Sequence, residues 1–99
     1  MAVNDKQKRY LKGLVHPLKP VVMIGNKGLT ETVLAEIEKA LEQHELIKIR
    51  ISGQDKAERI AMLADITDKT SSNLIMSIGH VGGLYRPAQE PTIVLPRNK

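Results

Sequence analysis

Three consecutive segments in the first half of the chain leave little choice of fold. Pro20-Val21-Val22-Met23-Ile24 is a short, continuously apolar run bounded by proline and glycine, which reads as a buried strand. Residues 31–44 place Val33, Leu34, Ile37, Ala40 and Leu41 at the spacing of one helix face, while Glu31, Glu38 and Glu42 line another. Thr30 stands where an N-cap belongs, and Leu29 is placed to staple onto Leu34. Leu46-Ile47-Lys48-Ile49-Arg50-Ile51 then alternates, so Ile47, Ile49 and Ile51 point inward and Lys48 and Arg50 toward solvent. Strand, helix, strand in this order is a crossover, which pairs parallel strands and lays the helix across their sheet.

The remaining segments extend that frame. A first helix is expected over residues 4–16, with Asn4 as N-cap, Asp5 in the first turn and Pro17 as the stop. At 100° per residue, Tyr10, Leu11, Leu14 and Val15 share one side, and Lys8, Arg9, Lys12 and His16 fill an adjoining arc. Asp55 and Glu58 form a capping box for a third helix to about Thr70, with Ile60, Leu63, Ala64 and Thr67 as its buried side. A third strand is expected over residues 74–78. A fourth, around Leu84-Tyr85-Arg86, is weakened by Gly82-Gly83. The fold class is thus α/β, in the order αβαβαββ. The expected sheet is four-stranded and mixed, its first three strands paired in parallel and its last antiparallel, with the helices on one face in a two-layer arrangement. One domain spans residues 1–99, and from about Pro87 an extended arm lies on its surface.

Charge separates along this chain. Residues 1–28 hold six Lys/Arg against one Asp, residues 29–47 one Lys against five Glu, and residues 48–99 eight basic against five acidic side chains. A basic first third beside an acidic helix makes a one-sided field, and polyanions are the commonest reason for one. Cys, Phe and Trp are absent, which excludes disulfides and thiolate metal sites and leaves Ile, Leu, Val, Met and Ala to form the core. No signal-peptide pattern opens the sequence and no apolar run is long enough to span a membrane, so a cytoplasmic chain is expected.

Gly25-Asn26-Lys27-Gly28 lies between the first strand and the second helix, at the carboxyl end of a strand and the N-terminus of a helix. Ligands gather there, because a helix start offers N–H groups and partial positive charge. Glycines admit close approach of a phosphate, Lys27 adds a full charge, and Asn26 can hydrogen-bond phosphate, sugar or base. A G-x-x-G tetrapeptide alone is more often a tight turn feeding a helix; the basic helix, the strand–helix placement and the exposed Lys48 and Arg50 favour backbone binding. Nucleotide-enzyme motifs fail on spacing: Gly28 is followed by Leu29-Thr30 rather than Lys-Ser/Thr, and no third glycine completes a dinucleotide fingerprint. His16, His44 and His80 show no metal-ligand spacing, and no nucleophile–base arrangement can be assembled. No enzyme activity, cofactor or metal is expected.

The stretch from Leu11 to Thr30, with its Leu-Val-His-Pro-Leu-Lys-Pro and Gly-Asn-Lys-Gly motifs, resembles the CRM domain (chloroplast RNA splicing and ribosome maturation) in its stand-alone bacterial YhbY-type form. His44-Glu45-Leu46-Ile47-Lys48-Ile49-Arg50, Leu84-Tyr85-Arg86-Pro87 and Leu95-Pro96-Arg97 match it too. The chain departs from the family at Gly82, Gly83 and Ser77, where apolar residues are usual. The resemblance implies a fold like the C-terminal domain of translation initiation factor 3. It also implies RNA binding through the G-x-x-G loop and neighbouring basic residues, and, for bacterial members, association with precursor large ribosomal subunits. The residues expected to meet RNA are Gly25, Asn26, Lys27, Gly28, Lys8, Arg9, Lys12, His16, Lys19, Lys48, Arg50 and Arg86, on a monomer. The rival reading is a protein-interaction module that docks a ribosomal protein or enzyme through the acidic second helix.

Overall fold

The computed structural model describes residues 3–53 and 55–96. Its elements are α1 (Asp5–Val15), β1 (Pro20–Ile24), α2 (Glu31–His44), β2 (Leu46–Ile51), α3 (Lys56–Thr70), β3 (Asn73–Ile78) and β4 (Val81–Tyr85). The helix starts follow their local chemistry. The Asn4 side chain accepts from the Gln7 amide at 2.8 Å while Gln7 accepts from the Asn4 amide at 3.2 Å. Asp55 and Glu58 exchange the same pair of bonds at 2.8 and 3.3 Å, and the Thr30 hydroxyl accepts from the Val33 amide at 3.2 Å. Each bond satisfies an amide that the helix itself leaves open. No helix among the described residues is long and apolar enough to cross a membrane.

The αβαβαββ order and the mixed four-stranded sheet are those expected, but the strand order is β1-β2-β4-β3. β1 and β2 are parallel, whereas β4 is antiparallel to both β2 and β3. The third strand therefore runs in the direction of the first two without pairing with β2. The last strand, expected to be the weak one, is a central strand whose residues 82–85 are buried.

The two glycines explain how β4 fits there. A Cβ on Gly82 would lie 2.7 Å from Leu63 Cδ2 of α3, and one on Gly83 would lie 3.0 Å from Met76 Cγ and 3.2 Å from Val15 Cγ2 of α1. The glycines let side chains from both layers descend onto the strand. The one irregularity in this pairing falls in β3, between Leu74 and Met76.

The layering also differs from expectation. α2 and α3 cover one face, in a core of Val22, Ile24, Ile37, Leu41, Ile47, Ile49, Ile51, Leu63, Ile66 and Leu84. α1 lies on the opposite face, where Leu11 and Val15 pack with Leu46, Ile75 and Tyr85. Neighbouring residues of a strand point to opposite faces, so Leu46 and Ile47, or Leu84 and Tyr85, report different layers. α1 precedes the first crossover, so no handedness rule assigns it a side.

Two buried stripes shift as a consequence. On α3 the buried residues are Leu63, Ile66 and Thr70, while Ile60 and Ala64 are exposed. The seat of Leu63 over Gly82 sets that rotation. On α1, Tyr10 and Leu14 are exposed and only Leu11 and Val15 are buried. β1 is not buried on both faces: as an edge strand it turns Val22 and Ile24 inward and leaves Val21 51% and Met23 67% exposed.

Candidate nucleic-acid interface

The loop of residues 25–28 leaves the carboxyl end of β1 and enters α2 through Thr30. Gly28 has φ +73°, a left-handed conformation that favours glycine, and its amide donates to the Gly25 carbonyl at 3.0 Å. That amide is therefore used inside the turn rather than offered to a ligand. The loop is braced from β2: the Ser52 amide donates to the Ile24 carbonyl at 2.8 Å. The Asn26 side chain lies against Gly53, where a Cβ would collide with its oxygen. The β3–β4 turn joins the same end, with the Ile51 amide donating to the His80 carbonyl at 2.7 Å and His80 Nδ1 3.0 Å from the Ile51 carbonyl. A carbonyl only accepts, so that contact places the proton on Nδ1. The outcome is a stiff corner that holds Lys27 outward and exposed.

The second cation group lies elsewhere. Lys8, Lys12 and His16 of the α1 segment line a cleft of about 320 Å³ together with β3. Arg9 lies beside Asp5, Lys8 and Lys12 on the same helix. β1 and β3 are opposite edges of the sheet, so the loop and this cleft sit at opposite edges, with β2 and β4 between them. Arg50 stands on β2 in that gap and is exposed.

Among the described residues the ion pairs are Lys69–Asp65 and Arg86–Glu38, so Lys8, Arg9, Lys12, Lys27 and Arg50 carry charge that no carboxylate neutralises at contact range. The acidic α2 lies on the other side of the sheet. The basic α1 and the acidic α2 thus lie on opposite faces of the sheet, while Lys27 stands at the start of α2.

A family model described as the CRS1 / YhbY (CRM) domain matches residues 3–86. The chain belongs to the CRM family. A Haemophilus influenzae relative named RNA-binding protein is 50% identical over 95 residues, which is 96% of each chain. A Pseudomonas aeruginosa relative named a probable RNA-binding protein is 41% identical over 91 residues, or 92% of this chain and 88% of that one. The solution structure of a Staphylococcus aureus protein superimposes with a TM-score of 0.85 at 31% identity, covering 96% of this chain and all of the other.

Of the other expected site residues in this CRM domain, Arg86 and Lys48 are engaged by protein partners and Lys19 lies apart from the loop and the cleft. Arg86 Nη1 donates to Glu38 Oε2 and to the Thr70 carbonyl, both at 2.8 Å, and so ties α2 to the end of α3. Lys48 Nζ donates to the His16 carbonyl at 2.8 Å, where a cation suits the end of α1. Lys19 lines a groove at the other end of β1 with Leu14, Leu18, Val21 and His44.

Sequence reasoning missed Glu45, which follows α2 with φ 64° and is buried. Its carboxylate accepts from the amides of Ala88, Thr92 and Ile93 at 2.7, 2.8 and 3.0 Å, and from the Thr92 hydroxyl. Burial pushes this carboxyl up, and the hydrogen bonds to Thr92, Ala88 and Ile93 more than offset it, holding it below its ordinary value. The same carboxylate, with burial as the larger cause, pushes the Tyr85 hydroxyl up. Glu45 thereby clasps the segment after Pro87, whose Ile93 and Leu95 pack on the α1-side core. No local pattern announces this residue, because its partners lie 43–48 positions away.

Proposed function

We propose that this CRM protein is a non-enzymatic RNA-binding protein that grips the phosphodiester backbone. Lys27 on the G-x-x-G corner and Lys8, Arg9 and Lys12 on α1 are its phosphate contacts. Arg50 lies between them, and Arg86 and Lys48 hold the fold. The observation that carries this reading is the set of cations on the loop and on α1 that, among the described residues, have no ion-pair partner, with α1 on the face of the sheet opposite the acidic α2. Charge of this kind is what phosphate recognition uses, and the relatives' names agree with it. The family resemblance favours precursor large-subunit ribosomal RNA as the target. Crosslinking to cellular RNA followed by sequencing tests that choice.

A salt titration tests the mechanism. With four phosphates neutralised on single-stranded RNA, log K falls against log[salt] with a slope of roughly −3. Lys27→Ala should reduce that slope by about 0.7 and weaken different sequences alike, because phosphates carry no sequence information. A wild-type slope near zero, or an unchanged Lys27→Ala variant, would favour docking of a protein on α2 instead.

A further inference from the structure

α1 ends above the middle of the sheet. Val15 reaches Gly83, and Lys48, the pairing partner of Gly83, holds the His16 carbonyl. The next row toward the carboxyl ends of the parallel strands is Met23, Arg50, Val81 and Ile78, which are register partners from one edge of the sheet to the other. Register partners point to the same face. Met23 lies between Val22 and Ile24, and Arg50 between Ile49 and Ile51, all four buried on the α2–α3 side, so this row faces the α1 side. Met23 and Ile78 are each 67% exposed, Arg50 is exposed and Val81 is half-buried.

At about 4.8 Å between strands, the row is roughly 14 Å long. It runs from Met23, two residues before the loop, to Ile78, which lines the Lys8–Lys12 cleft. An apolar strip with phosphate-type cations at both ends and an arginine within it matches a chain that carries phosphates and apolar ring faces together. A guanidinium stacks on bases, and a thioether makes favourable contacts with aromatic rings. None of the four residues is aromatic, so the thioether and the guanidinium would make the ring contacts that aromatic residues make in other single-strand binders.

We propose that Met23, Arg50, Val81 and Ile78 form a base-contacting strip for unpaired nucleotides, bridging the phosphate contacts at the two sheet edges. This rests on the RNA-binding reading above and adds to it a preference for single-stranded over duplex RNA.

The test compares wild type with a Met23→Thr/Ile78→Thr double variant, in which exposed side chains become polar while strand propensity is kept. The probes are an unstructured RNA, an abasic strand of equal length and a duplex, and thermal melting checks that the variant folds. Wild type should bind the base-bearing strand about fivefold to tenfold more tightly than the abasic strand. The variant should lose that margin while its salt slope and its duplex affinity stay unchanged. Equal wild-type affinity for the base-bearing and abasic strands would overturn the strip whatever the variant does. So would a folded variant that binds the base-bearing strand as wild type does, including one that has lost only a protein partner. Wild type that binds no RNA at all would remove the underlying reading as well, which is a distinguishable result.

Discussion

On one face of the sheet, Val22, Ile24, Ile47, Ile49, Ile51 and Leu84 lie beneath two helices. On the other, α1 covers Leu46, Ile75 and Tyr85 and stops over Gly83, leaving Met23, Arg50 and Ile78 in solvent. The same four strands build both faces, and period-two alternation lets each residue serve one of them without compromising the other. The sealed face carries stability. The half-covered face has room for charge and exposed apolar side chains because the opposite face already secures the strands.

The sharpest way to break this comparison uses adjacent residues of β2. Ile49→Ala removes a fully buried side chain from the sealed face and should cost about 2–5 kcal/mol in chemical denaturation. Arg50→Ala, one position on, should change stability by less than about 0.5 kcal/mol while weakening RNA binding. Comparable losses of stability at the two positions would show that the faces are not divided as described.

The arm offers a smaller effect on the other face. Glu45→Gln removes the charge from a carboxylate that gathers three amides and a hydroxyl, and should cost about 1–3 kcal/mol at neutral pH. The Glu45 carboxyl lies below its ordinary 4.5 in the folded chain, so its contribution is complete above that value. It is lost as pH falls through the lower folded value. Urea midpoints measured downward from pH 7 should show wild type converging on the variant in acid. Parallel curves would exclude the clasp.

The smallest effect sharpens the boundary between the faces, at the loop. Thr30→Ala removes the cap of α2 and should cost about 1 kcal/mol. Hydrogen exchange at residues 25–30 should rise more than exchange in β4. Uniform acceleration would mean that the corner is held by the rest of the fold and not by its cap.

Helix limits and caps were legible because they depend on neighbours within four residues. Asn4, Thr30 and Asp55 act where the sequence puts them, and the alternation in β2 assigns Ile47, Ile49 and Ile51 to one face without any tertiary information. The position of the G-x-x-G tetrapeptide between β1 and α2 is local in the same sense. The sequence could also show that basic and acidic residues were segregated, though not onto which surfaces.

Only the tertiary structure decided the strand order, the side taken by α1 and the extent of its cover. Each depends on which surfaces meet across long separations, and composition does not encode that meeting. Gly82-Gly83 reads as a weakness in isolation and becomes the seat for Leu63 and Val15 once β4 lies between β2 and β3. Met23 reads as core within an apolar run and becomes surface because β1 is an edge strand. Arg86 reads as one more free cation until Glu38, 48 positions away, takes its guanidinium. Local rules set where each element begins and what its faces contain; the packing of distant elements sets which of those faces remain open to a ligand.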